Sequence, residues 1–104
     1  MVLSPEHKWK ISFENGLLVS KDWNGDVEEV SLGGIKRVYV RTTDDGPHTA
    51  DVWYGLEVEN GCIEIPQGCT GEETLIEYFN SLPGFKMNGM NSTENKVHEC
   101  WVKQ

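Results

Sequence analysis

The sequence predicts an α+β fold: a strongly bent antiparallel β-meander of six or seven strands with one main helix near the C-terminus. Three observations predict it. Asn15-Gly16, Asn24-Gly25 and Asn60-Gly61 each lie between apolar runs, and Asn-Gly is the strongest short hairpin signal because both residues tolerate positive φ. From Trp9 to Ile65 apolar and polar residues alternate with a period of two, as in half-buried strands. Beyond Thr70 the period changes to that of a helix.

Taken in order, the first hairpins constrain one another. Asn24-Gly25 as a two-residue turn sets Trp23 opposite Asp26, Lys21 opposite Glu28, Val19 opposite Val30 and Leu17 opposite Leu32. A two-residue turn at Asn15-Gly16 would then put Trp9, Ile11 and Phe13 on the wrong side. A three-residue loop, Glu14-Asn15-Gly16 with Gly16 as the left-handed bulge residue, repairs this. The expected strands span about 8–13, 17–22 and 27–32. Their buried face is Trp9, Ile11, Phe13, Leu17, Val19, Val30 and Leu32.

Gly33-Gly34 bends the chain into a strand from Ile35 to Thr42, whose partner runs from Asp51 to Glu59. Turn formers fill the loop between them, from Thr43 to Ala50. Val38, Val40, Val52, Tyr54, Leu56 and Val58 point inward. A two-residue turn at Asn60-Gly61 brings Ile63 opposite Val58 and Ile65 opposite Leu56. Thr70-Gly71-Glu72-Glu73 has the form of a capping box, followed at helical spacing by Leu75, Ile76, Phe79 and Leu82. Pro83-Gly84 stops the helix. Met87 to Thr93 is read as a short turn or second helix, and Val97 to Val102 as a last strand. The sheet either closes as a small barrel of the pleckstrin-homology type or stays an α+β sandwich.

At 104 residues, the chain is read as one binding domain over 1–104. Hydrophobic residues make up 38%, which is enough for a core. There are 17 acidic and 9 basic residues, a net charge of −8. That charge disfavours nucleic acid and anionic membranes and favours basic protein partners. The N-terminus lacks the pattern of a signal peptide, and no segment approaches membrane-spanning length. Three cysteines, Cys62, Cys69 and Cys100, fit free thiols in a reducing cytoplasm.

Motifs for catalysis are missing. There is no Gly-x-Ser-x-Gly elbow, phosphate-binding glycine loop or His-Glu-x-x-His. His98 and Cys100 share a strand face, but a buried thiol beside a structural histidine explains them more simply than a nucleophile and its base. Cys62, Cys69, His98 and Cys100 are the right ligand types for zinc, with spacing unlike a zinc knuckle. Asp44, Asp45 and Asp51 lack the alternation of a calcium loop. No cofactor is expected.

Pairing Val40 with Tyr54 places Arg41 opposite Trp53, Tyr39 opposite Gly55 and Arg37 opposite Glu57. With Glu57 meeting Glu64 across the next hairpin, the outward face reads Arg41, Tyr39, Arg37, Trp53, Glu57, Glu59 and Glu64. Trp, Tyr and Arg are enriched in binding hot spots, and two opposed glutamates would welcome a cationic partner. Tyr39, Trp53, Glu57, Glu59 and Glu64, with Asp44 and Asp45 of the adjoining loop, are therefore the candidate partner-binding residues. The competing reading is purely structural: Arg37 neutralises Glu57, Arg41 stacks on Trp53, and Tyr39 covers Gly55.

Several short motifs carry a resemblance. Thr42-Thr43-Asp44-Asp45-Gly46-Pro47, Asp51-Val52-Trp53, Ile65-Pro66-Gln67-Gly68, Leu82-Pro83-Gly84-Phe85 and Cys100-Trp101 resemble those of a group of small single-domain bacterial proteins, over about 35–102. The whole chain also resembles the immunity proteins of bacterial contact-dependent growth inhibition. That resemblance implies a cytoplasmic protein that binds a delivered toxin domain. Many such toxins are basic nucleases, some of them ribonucleases of the pancreatic type. The resemblance assigns no interface residues. A pleckstrin-homology-like adaptor is the alternative expectation.

Overall fold

The computed structural model describes residues 9–43, 52–89 and 95–103. Within them the fold is α+β, with seven strands in two antiparallel sheets and one helix. The first sheet contains β1 (Lys10–Glu14), β2 (Leu17–Lys21) and β3 (Val27–Ser31), in that order. A 3-10 turn at Leu32–Gly34 leads into β4 (Arg37–Thr42). The second sheet adds β5 (Val52–Val58), β6 (Gly61–Pro66) and β7 (Lys96–Val102), in the order β6-β5-β4-β7. Helix α1 spans Glu72–Asn80. The described strands thus form two sheets where the sequence predicted one bent meander.

Both N-terminal hairpins differ from expectation by one residue. Asn15 and Gly16 form the two-residue turn, at φ 51 and 78, so Glu14 pairs with Leu17 and Ile11 with Ser20. The next loop is the longer one: the Asp22 amide donates to the Asp26 carbonyl, leaving Trp23-Asn24-Gly25 between them. The Asp22 carboxylate accepts from the Asn24 and Asp26 amides at 2.9 and 3.0 Å. The two shifts compensate, so Trp9, Ile11 and Val30 stay buried. In β2, however, Leu18 and Ser20 face inward while Leu17 and Val19 are half-buried. Ser20 is tolerated there because the Trp9 indole N–H donates to its hydroxyl at 2.8 Å. Lys21 pairs with Val27, and the expected Lys21–Glu28 pairing does not form.

The β4–β5 register follows expectation at every position named: Arg37 with Glu57, Tyr39 with Gly55, Val40 with Tyr54 and Arg41 with Trp53. The β5–β6 turn falls one residue earlier, at Glu59-Asn60. Val58 therefore meets Gly61, Leu56 meets Ile63, and Tyr54 meets Ile65. Inward parity survives, and Val38, Val40, Tyr54, Leu56, Ile63 and Ile65 make one buried layer. Strand β7 lies beside β4 with an irregularity at Val38/Tyr39, where the register passes over Cys100.

Helix α1 packs onto that layer through Leu75 and Phe79, with Phe79 edge-on to Tyr54 at 5.9 Å. Its start differs from the predicted capping box. Thr70 is bridged to β1, donating to the Trp9 carbonyl and accepting from the Ile11 amide. Gly71 caps the helix at φ 95 with no side-chain cap hydrogen bond. A Cβ at Gly71 would lie 2.6 Å from the Ile11 carbonyl oxygen. Glu72 turns away to accept from the Tyr54 hydroxyl at 2.6 Å and the Gly68 amide at 3.2 Å. The predicted helix or turn beyond Met87 is not helical through Gly89, and the rest lies outside the described residues. No helix among the described residues is long and apolar enough to cross a membrane.

Candidate functional site

Because α1 covers the inner layer, the opposite face of the second sheet carries the predicted cluster. Alternation along β4 sends Arg37, Tyr39 and Arg41 to this face, and β5 supplies Glu57, Gly55 and Trp53 beside them. From β6 come Cys62 opposite Glu57 and Glu64 opposite Gly55. The expected Glu57–Glu64 opposition is therefore replaced, since the turn sits one residue earlier. Strand β7 adds Glu99 beside Tyr39.

Tyr39 is only 7% exposed although it lies on the outward side. Its ring runs across β5 over Gly55, where any side chain would overlap it. Its hydroxyl donates to Glu64 at 3.0 Å and lies 3.6 Å from the Cys62 sulfur. Burial, then the bond to Cys62 and the Glu64 charge, push this phenol well above its ordinary value, so it remains a proton donor. Arg37 lies over the ring at 5.0 Å and pairs with Glu57 at 3.6 Å and Glu99 at 3.2 Å. Arg41 holds Glu64 through its Nε at 2.9 and 3.1 Å and lies 5.5 Å from the Trp53 ring centroid.

The electrostatics of this face are thereby largely closed. Among the described residues, Glu57, Glu64 and Glu99 pair with Arg37 and Arg41, three carboxylates with two guanidiniums. The structural role weighed against binding is thus filled by the arginines and Tyr39. Trp53 behaves differently. It is half-buried and forms a cluster with Trp9 at 5.7 Å and Trp23 at 6.2 Å. Trp23 is 42% exposed and projects from the β2–β3 loop.

The remaining candidates lie elsewhere. Glu59 is exposed in the β5–β6 turn and borders a groove with Glu29 and Lys36. Asp44, Asp45 and the possible calcium residue Asp51 lie outside the described residues. Trp23 and Glu99 were missed. A tryptophan beside an Asn-Gly turn was a readable signal for the first. Glu99 had none, since it reaches Arg37 only through pairing of strands 62 positions apart.

The four possible zinc ligands are not brought together. Cys62 is exposed near Tyr39, Cys69 is buried before α1, and His98 shares a hydrogen bond of 3.2 Å with Thr42. Among the described residues no three His, Cys, Asp or Glu side chains form a metal-binding group. Burial pushes the Cys69 thiol up to about 12, helped by Glu72, and raises Cys100 as well. Both shifts oppose the thiolate that a nucleophile or metal ligand needs.

Comparison with known protein families, curated proteins and solved structures finds no match.

Proposed function

We propose that this chain is a protein-binding module that docks a basic partner, and that it serves as a cytoplasmic immunity protein against a basic toxin domain, a nuclease of the contact-dependent growth inhibition type. The observation that carries this reading is the division of its surface. Arginines neutralise most of the second sheet's outward charge, so most of the net −8 is borne elsewhere. Asp26, Glu28 and Glu29 at the start of β3 are exposed and make no ion pair with a described residue. Beside them stands the exposed Trp23. Acids around an aromatic anchor suit a lysine- and arginine-rich nuclease site: charge speeds encounter, and the tryptophan supplies desolvated contact.

The pleckstrin-homology-like adaptor stands as the alternative, supported by two antiparallel sheets accompanied by one helix. Its barrel would require the two sheets to join along their edges.

Co-expression with the products of neighbouring genes separates the two. The immunity reading expects one basic protein to co-purify at one-to-one stoichiometry and to lose its nuclease activity in the complex. An active nuclease in the complex, or an acidic housekeeping partner, overturns it.

A further inference from the structure

We propose that the open edge of β3 is a strand-pairing site for an extended basic segment of a partner protein. This rests on the basic-partner reading above and names the surface through which it would act.

The backbone geometry comes first. The Asp22 amide bonds the Asp26 carbonyl and the Leu32 amide bonds the Gly16 carbonyl, both in the β2–β3 register. Backbone groups of an antiparallel strand alternate in direction. Residues 26, 28, 30 and 32 therefore point to β2, and Val27, Glu29 and Ser31 point their N–H and C=O groups to the open side. Among the described residues Val27 and Glu29 have no backbone partner on this side, the Ser31 carbonyl accepts the first bond of the 3-10 turn while its N–H stays open, and β3 ends its sheet. Natural edges are commonly blunted by proline, lysine, bulges or a covering element. Among the described residues β3 carries no proline, lysine or bulge; its five residues, VEEVS, are guarded only by the negative charges of Glu28 and Glu29, which repel acidic strands and not cationic ones, and Val27 is 57% exposed.

There is also room beside it. A groove of about 490 Å³ has Glu29, Val30 and Ser31 along one side and Val58, Glu59 and Asn60 of the β5–β6 turn along another. Lys36 and Lys103 also line it, next to the Ser31 end of the strand.

Charge selects the occupant. A second copy pairing antiparallel in full overlap would set Glu29 against Glu29, which is unfavourable. A shift centring the pair on Val27 would set Glu28 against Asp26. A basic strand meets the opposite situation, with its cations on one face beside Glu29 and the groove acid Glu59, and with Lys36 and Lys103 in the same groove limiting how far its cations extend toward the Ser31 end. In such recognition, main-chain bonds supply affinity and side chains supply specificity.

The test uses the isotope-labelled full chain and a short blocked peptide of alternating lysine and valine. Its backbone amides should perturb and protect Val27, Glu29 and Ser31, leaving the Trp53 face unchanged. A glutamate–valine peptide should not bind. Proline is tolerated where a strand N–H faces outward. Glu29→Pro should therefore keep the fold and weaken the lysine peptide about tenfold, while Glu29→Gln weakens it about two- to threefold. If Glu29→Pro unfolds, methylating alternate peptide nitrogens removes the same bonds from the other side and should also abolish binding. The proposal is overturned if no β3 amide responds at millimolar peptide, if the responses fall on another surface, or if both the proline and N-methyl changes leave affinity intact. Peptide bound at β3 without any toxin partner would retain the edge and remove the toxin reading. A captured toxin that leaves the β3 amides unprotected would do the reverse.

Discussion

Gly55 is the position at which the outward face is most sensitive to a single methyl group. The Tyr39 ring fills the space that a Cβ at Gly55 would take, so Gly55→Ala must displace the ring. Displacement breaks the 3.0 Å bond from the Tyr39 hydroxyl to Glu64 and the 5.0 Å stacking of Arg37. Overpacking of this kind costs about 1–3 kcal/mol. The lost bond to a partly exposed carboxylate adds about 1–2 kcal/mol. Alanine returns about 0.5–1 kcal/mol through its lower backbone entropy. The net is a destabilisation of about 2–3 kcal/mol, or a fall of about 10–20 °C in Tm for a chain of this size. Urea unfolding followed by circular dichroism reads it directly. In a Tyr39→Ala background the clash is absent, so Gly55→Ala should there be neutral or slightly stabilising, giving a coupling of about 2–4 kcal/mol. A Gly55→Ala protein within about 0.5 kcal/mol of wild type, or two additive substitutions, would refute the reasoning.

Other consequences follow from the buried polar and thiol groups. Ser20→Ala leaves the buried Trp9 indole N–H without its acceptor and should cost about 1–2 kcal/mol in urea unfolding; an unchanged midpoint would contradict the inward placement of Ser20. Tyr54→Phe and Glu72→Gln should each destabilise, with a double-mutant coupling of about 1 kcal/mol through their 2.6 Å bond, and simple additivity would remove that link. A thiol reagent at neutral pH should label exposed Cys62 quickly and buried Cys69 and Cys100 only after unfolding. The Cys69 thiol is raised from 9.0 to about 12, so between those values the folded chain holds a proton the unfolded chain has lost. Stability therefore falls as pH rises through that window, by about 2 kcal/mol at a pH near 10.5 from this group, and Cys69→Ala should flatten that part of the curve. Equal alkaline slopes for the two proteins would contradict it.

The parts of the fold that were readable are those where one apolar pattern admits one answer. Val38 and Val40 against Tyr54 and Leu56 allow a single inward parity, and the whole β4–β5 register followed, Tyr39 over Gly55 included. The run Leu75, Phe79 likewise set the buried stripe of α1. The first two hairpins were ambiguous for a physical reason. A two-residue turn followed by a three-residue loop, and the reverse, shift β3 by two residues against β1, which preserves inward parity on both strands, and turn opposite sides of β2 inward. Counting apolar residues favours Leu17 and Val19 over Leu18 and Ser20. The structure takes the second set because Trp9 gives Ser20 a partner and Leu18 becomes fully buried. The capping box failed because the Thr70 backbone is bound to β1, a long-range contact that local propensity does not contain. At the candidate site, the cluster of Arg37, Tyr39, Arg41 and Trp53 was legible. Its neutralisation was only half so, because Glu99 arrives from β7 and Glu64 sits one pair away from its expected place.

Calorimetric titration of the chain with whatever basic protein co-purifies with it from co-expressed neighbouring genes, at about 50 and 500 mM salt, tests most directly the proposal that this is an acidic docking module. The structure and charge lead us to expect one-to-one binding, nanomolar or tighter at low salt, and weaker by at least about tenfold at high salt because exposed acids such as Glu28 and Glu29 are then screened. No measurable heat at either concentration, or an affinity indifferent to salt, would contradict it.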